Sequence, residues 1–220
     1  IIVKLKSYAM PVMMKNGKRV LFVHIPKCGG STLEKEMAVR GWRELLSIRG
    51  VHTKDLSFLK CSLQHMHGEL LNALLNLDEF DEIISIVRNP YDRFRSEYYW
   101  QLHQKIVSLP PDEWIIQTLE NYHDNPFMYD NHIRPQSEFL VDGINWFRLE
   151  EKGINLALEL VDQSTPKTNL ITTLFNKSNK EHLKKSVKNK FIDNIFEENR
   201  ELIIDFYRED YALFGYGCQS

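Results

Sequence analysis

The sequence predicts an α/β protein with a central, mostly parallel sheet flanked by helices. Two short apolar runs, Val20-Leu21-Phe22-Val23 and Ile83-Ile84-Ser85-Ile86-Val87, have the length and composition of buried strands. Each run ends in a polar corner, and each corner opens a helical pattern. Strands alternating with helices build parallel sheets, which bind ligands at the carboxyl ends of their strands.

In chain order, a strand over Val20–His24 leads to a helix over Ser31–Arg40, then a connection with possible strands and a helix over Gly68–Leu77. The second strand, Glu82–Val87, feeds a long helix from Pro90 to about Val107. Pro110-Pro111 breaks the chain before a helix over Asp112–Asn121, a candidate lid over an acceptor site. Trp146-Phe147-Arg148-Leu149 reads as a further strand, backed by a helix over Glu150–Asp162. Phe191, Ile195, Phe196, Leu202, Ile203 and Phe206 recur at mostly helical spacing and form a core stripe.

The first corner is His24-Ile25-Pro26-Lys27-Cys28-Gly29-Gly30-Ser31-Thr32. Glycine permits a sharp turn and close approach to a ligand, and the following helix N-terminus offers free amides and a positive dipole end. Lys27 adds a cation, and Ser31 and Thr32 add hydroxyls. The second corner, Arg88-Asn89-Pro90-Tyr91-Asp92-Arg93-Phe94-Arg95-Ser96, supplies Arg and Ser. Two such corners in one sheet suit a ligand with two separate phosphates. Arg93 and Arg95 read as solvent-facing partners of Asp92 or Glu97.

The ordinary P-loop places Lys directly before Ser or Thr, whereas Gly30 precedes Ser31 here. It also needs an Asp ending a neighbouring strand to hold magnesium, and this strand ends in Arg88. A phosphatase loop fails because Glu34 stands where its Arg is required, so Cys28 reads as a loop filler.

On these residues the chain resembles sulfotransferases that use 3′-phosphoadenosine 5′-phosphosulfate (PAPS). The Lys27 segment looks like their 5′-phosphosulfate loop, and the Arg88–Ser96 segment like their 3′-phosphate motif. The likeness is greatest to the carbohydrate-type branch containing heparan sulfate 2-O-sulfotransferases and related bacterial proteins. Gln64-His65-Met66-His67, His132-Ile133-Arg134-Pro135-Gln136-Ser137-Glu138-Phe139-Leu140 and the segment from Tyr207 to Tyr216 fit it as well.

The resemblance implies a P-loop-like sulfotransferase fold and metal-independent transfer of a sulfuryl group to an acceptor hydroxyl, with 3′-phosphoadenosine 5′-phosphate (PAP) as product. Lys27 would stabilise charge on the leaving phosphate, with Cys28, Gly29, Gly30, Ser31 and Thr32 cradling it. Arg88 and Ser96 would take the 3′-phosphate, and Asn176, Lys177 and Ser178 would close over the adenosine. A histidine near neutrality suits the general base. In the resemblance this is His67 or His65, with Glu69 in reserve and His67 slightly favoured. In extended backbone both imidazoles face one cleft. His24 orders the loop, and Arg134 and Gln136 are candidates for the acceptor or cofactor wall.

At 220 residues the chain is read as one domain over 1–220, and its 43% hydrophobic and 26% charged content is ordinary for a globular protein. A formal charge of −2 argues against nucleic acid or a heparin-like polyanion bound along a whole face. Three scattered cysteines make no disulfide framework, and no metal-ligand spacing is present. With no apolar run of membrane-spanning length, the expectation is a cytoplasmic, bacterial enzyme acting on a carbohydrate, glycolipid or small-molecule hydroxyl. Two alternatives stay open: a P-loop nucleotide kinase or NTPase, and a catalytically silent PAP-binding protein.

Overall fold

The computed structural model describes residues 8–48, 59–163 and 189–217. Its sheet has five strands in the order β3-β1-β2-β4-β5. Strands β2 (Lys18–Val23), β4 (Glu82–Val87) and β5 (Asn145–Arg148) run parallel, as the two apolar runs and the Trp146 segment predict. Strands β1 (Tyr8–Lys15) and β3 (Arg43–Ile48) extend the sheet antiparallel on the other side.

β1 is not part of the sequence-based expectation, and it contains Pro11, a residue disfavoured inside strands. The sheet tolerates it through an irregular register between Ala9 and Val12, and pairing with β2 begins only at Val12. The signal that could have revealed β1 is Asn16-Gly17. Both have positive φ, 51° and 82°, and join β1 to β2 as a two-residue hairpin turn.

Helix α1 (Gly30–Val39) follows β2, and α2 (Gly68–Leu74) follows a 3-10 turn at Leu63–His65. Helices α3 (Pro90–His103) and α4 (Pro111–Tyr122) come next; α3 ends one turn short of the expected Val107. The segment α5 (Met128–Asn131) is a tight turn with left-handed Tyr129 and Asp130. Helix α6 (Gly153–Gln163) backs β5, and the expected C-terminal helix splits into α7 (Lys190–Glu198) and α8 (Arg200–Phe206), with α9 (Arg208–Phe214) beyond.

Two apolar clusters result. One packs β2 and β4 against α1 and α6 through Leu21, Phe22, Leu33, Met37, Ile84, Ile86, Leu158 and Val161. The other joins α3 and α4 to α7–α9 through Phe94, Trp114, Phe196 and Tyr207. Each wholly buried side chain of this size contributes roughly 1.5–3 kcal/mol, so both clusters are needed to fix the helices. Helix α3 therefore has an aromatic face in the second cluster and a polar face, Arg93, Glu97 and Gln101, turned inward. Among the described residues no helix is long and apolar enough to cross a membrane.

Candidate active site

The carboxyl ends of parallel neighbours β2 and β4 deliver the two corners side by side. In the first, Lys27 and Gly29 adopt left-handed φ of 67° and 86°. A non-glycine residue there is strained, and such strain recurs at functional sites. The turn is held from below: Arg93 Nε donates to the Pro26 carbonyl at 3.0 Å, and Arg88 donates to the Lys27 carbonyl at 3.2 Å. With its carbonyls held this way, the loop's amides from Cys28 to Ser31 have no hydrogen-bond partner among the described residues. Helix α1 has no side-chain cap and no acidic residue in its first turn. Uncapped amides at a helix start, with Lys27 and Arg88 beside them, make a donor set that fits a phosphate or sulfate group.

Gly30 answers a different need. A Cβ there would lie 2.3 Å from Nε2 of His24, so the imidazole occupies the space a side chain would fill. His24 is anchored through Nδ1 to Glu34 Oε1 at 2.8 Å, with Gln64 2.9 Å away. The expectation that His24 orders the loop agrees with this contact. Cys28 is buried, its Sγ 3.2 Å from Gln136 Oε1, and burial pushes its thiol up to about 12, as suits a filler.

Lys27 extends over the Trp100 ring, with Nζ 5.1 Å from the centroid. Burial lowers its ammonium below the ordinary lysine range; Glu97 opposes this and Arg88 adds to it. Trp100 in turn packs on His132 at 5.2 Å, and His132 lies edge-to-face with His65 at 4.9 Å. His65 also meets His24 edge-to-face at 5.2 Å. An aromatic line therefore runs from Lys27 through Trp100, His132 and His65 to His24.

Two carboxylates fix the middle of that line. Asp130 Oδ2 is 2.8 Å from His65 Nδ1, while Oδ1 accepts from the Ser62 amide at 2.5 Å. Glu97, with no solvent exposure, is 2.6 Å from His132 Nδ1 and accepts from Gln101 at 2.8 Å. Burial lowers the His65 imidazole to about 4 against the pull of Asp130, so it is neutral at physiological pH. Asp130 is held below its usual range, because the His65 and Ser62 bonds outweigh its own burial. Ligand-capable atoms of His65, Asp130 and His132 lie within 4.8 Å of one another. These three residues could hold a metal ion, but Nδ1 of each imidazole is already committed to a carboxylate.

The two candidate bases part company. Leu63–His65 is a 3-10 turn and not the extended backbone of the sequence reading, and the two imidazoles have different neighbours. His67 precedes α2, packs on Phe127 at 5.5 Å, and lies 3.7 Å from exposed Glu69. Its Nδ1 is buried without a hydrogen-bond partner among the described residues, and burial, with Arg134 nearby, lowers its pKa.

Arg134 and Gln136 are used inside the fold. Arg134 is bonded to Asn131 and Glu138 and stacks on Phe127. Gln136 has no exposed surface; its amide accepts from the Arg88 amide at 2.9 Å and donates to the Arg88 carbonyl at 2.8 Å. It positions Arg88 and offers no atom to an acceptor. Arg93 is likewise no solvent-facing residue: it is wholly buried, and it ties Pro26 to the His132 carbonyl, the latter at 2.8 Å. Arg95 does pair with Asp92, at 2.7 Å. Ser96 lies half-buried on α3. Asn176, Lys177 and Ser178 lie outside the described residues.

Sequence reading gave no site role to Glu97, Trp100, Asp130 or His132, although Glu97 was named as an arginine partner and His132 opens a resembling segment. One signal was available: Arg93, Glu97 and Gln101 recur every four residues among aromatics, the spacing of a polar stripe along a helix.

Strand-end corners with an uncapped helix and paired cations give an α/β fold with a loop suited to an anionic group. The chain belongs to the sulfotransferase family, whose model matches residues 10–217. It is thus a transferase acting in sulfuryl transfer. Neither the search of curated proteins nor the search of solved structures gave a match.

Proposed function

We propose that this protein moves the sulfuryl group of PAPS to a hydroxyl of a carbohydrate, glycolipid or small-molecule acceptor, working as one domain. The observation that carries this reading is the juxtaposition of Lys27 and the unpartnered Cys28–Ser31 amides with Arg88, at the ends of adjacent parallel strands. PAPS when bound supplies the activated sulfuryl group. Lys27, the loop amides, Ser31 and Thr32 hold its 5′-phosphate and offset charge developing there; Arg88 and Ser96 hold the 3′-phosphate. No carboxylate ends β4, which favours this reading over a magnesium-dependent nucleotide kinase.

His65 is the base in this reading. It is neutral, oriented by Asp130 through Nδ1, and linked by the aromatic line to Lys27. Nδ1 is the one imidazole nitrogen with a hydrogen-bond partner among the described residues, which leaves Nε2 to take the acceptor proton. Calorimetric titration of PAP against ATP, both in EDTA, tests the donor site: tight PAP binding with little ATP binding is expected. Labelled PAPS then screens acceptors. With an acceptor in hand, His65→Ala should lose transfer by about 10²–10⁴-fold and His67→Ala should keep most of it. The reverse ranking would move the base to His67.

A further inference from the structure

Lys27 is half-buried, yet no carboxylate holds it. Among the described residues its Nζ makes no hydrogen bond and no ion pair; what it meets is the Trp100 ring, 5.1 Å from the centroid. The quadrupole of an aromatic face attracts an ammonium within about 6 Å, and tryptophan does so best. Such a contact differs from a salt bridge in one respect that matters for anion binding. A carboxylate would take up the ammonium's N–H donors and set a negative charge against an arriving phosphate. An aromatic face takes neither, and the three donors stay available.

Helix α3 brings that ring to the loop. Arg93 and Trp100 stand seven residues apart, about two turns, and so share one side of the helix. Arg93 Nε donates to the Pro26 carbonyl at 3.0 Å, immediately before Lys27. The helix therefore grips the loop twice, by its backbone at Pro26 and by the Lys27 side chain at Trp100. The ring is itself fixed, because His132 packs on it at 5.2 Å. His132 in turn is anchored by Nδ1 to buried Glu97 at 2.6 Å and by its carbonyl to Arg93 at 2.8 Å.

We propose that Trp100 is a positioning residue of the transfer site: its cation–π contact holds the Lys27 ammonium in place and leaves the N–H donors to the donor phosphate. A free lysine side chain has a flexible four-carbon stem, and ordering it on binding costs rotamer entropy. The ring meets that cost before the nucleotide arrives, so the gain is preorganisation. A tryptophan serving only as packing would be indifferent to the residue at position 27, and this difference is measurable.

This inference rests on the PAPS site proposed above, and two measurements keep the readings apart. The first needs no ligand. Ring current should shift the Lys27 ε-methylene protons upfield in the NMR spectrum, and Trp100→Leu should abolish the shift; an unshifted signal in wild-type protein would overturn the proposal. The second is a double-mutant cycle on PAP affinity by calorimetry. Trp100→Leu should weaken PAP about 3- to 30-fold, whereas in a Lys27→Ala background the same change should cost less than about twofold. Trp100→Phe, which keeps an aromatic face, should recover part of the loss. Equal losses with and without Lys27, or no loss at all, would reduce Trp100 to a packing residue. Should Trp100→Leu fail to fold, the cycle is run with Trp100→Phe, and a loss independent of Lys27 refutes the role in the same way. Wild-type protein that shows the shifted signal but binds no PAP would instead overturn the site reading, and the role of the contact with it.

Discussion

Burial sets opposing demands on Lys27: in the proposed reaction it stays charged to stabilise a leaving phosphate, yet its burial favours the neutral amine. Lys27→Ala is expected to cut transfer by about 10²–10³-fold, as loss of a group aimed at developing charge does, while thermal unfolding stays near wild type. Labelled PAPS turnover measures it. His65 makes a second prediction. Its folded value of about 4 lies below the 6.5 of the free imidazole, so on acidification the unfolded chain takes up the proton first. The stability this group contributes is fully present above pH 6.5 and lost as pH falls toward 4, at most about 3 kcal/mol in all. Denaturant unfolding at several pH values should show that slope, and His65→Gln should flatten it. By the same logic transfer should retain its base down to about pH 5. Lys27 and Arg88 were legible because chemistry and chain order coincide in their motifs. Asp130 was not: it reaches His65 across 65 residues, and an isolated Asp in a polar loop carries no mark of its partner.

Among the elements, the α5 turn shows how local geometry serves a distant group. Tyr129, Asp130 and Asn131 have φ of 49°, 60° and 63°, a left-handed run without glycine. That conformation costs about 1–2 kcal/mol per residue and survives only where contacts insist on it. Here Asp130 holds His65 and the Ser62 amide, while Asn131 donates to the His65 carbonyl at 2.8 Å. Asp130→Ala should therefore lower stability by about 1–3 kcal/mol and reduce transfer more than PAP affinity. Calorimetry beside turnover separates the two effects; equal losses in both would deny Asp130 its part in orienting the base. The sequence reading of elements succeeded where periodicity was strong, as in β2, β4, α3 and α4. It failed at β1, where a proline sits in a register irregularity, and at the C-terminal stripe, where Asn199 leaves the helical region and divides α7 from α8.

At the scale of the whole molecule, Arg88 of the proposed donor site is held from the C-terminal helix α9. Buried Asp210 on α9 accepts from the Gln136 and Ser137 amides, each at 2.8 Å, and Gln136 in turn clamps both backbone groups of Arg88. The predicted 3′-phosphate arginine is thus oriented through two intermediaries by a helix that touches no ligand in this scheme. Asp210→Asn should weaken PAP binding by about tenfold and lower the unfolding midpoint. Unchanged affinity in a folded variant would uncouple the C-terminal helices from the site. None of this was readable in advance. In the sequence the segment from Tyr207 to Tyr216 stands out only by its resemblance, and Gln136 reads as a candidate wall residue. The motifs show where chemistry happens, whereas the packing that aims them is written in pairs 48 and 74 residues apart.

The close approach of His24 to Gly30 has a combinatorial consequence. A glycine in a phosphate loop is ordinarily credited to the ligand, yet here the neighbouring imidazole occupies the space a Cβ would need. Positions 24 and 30 are thus not independent choices. In a library randomising both, residues larger than glycine at 30 should be recovered chiefly beside a small residue at 24. Such survivors would have given up the end member of the aromatic line.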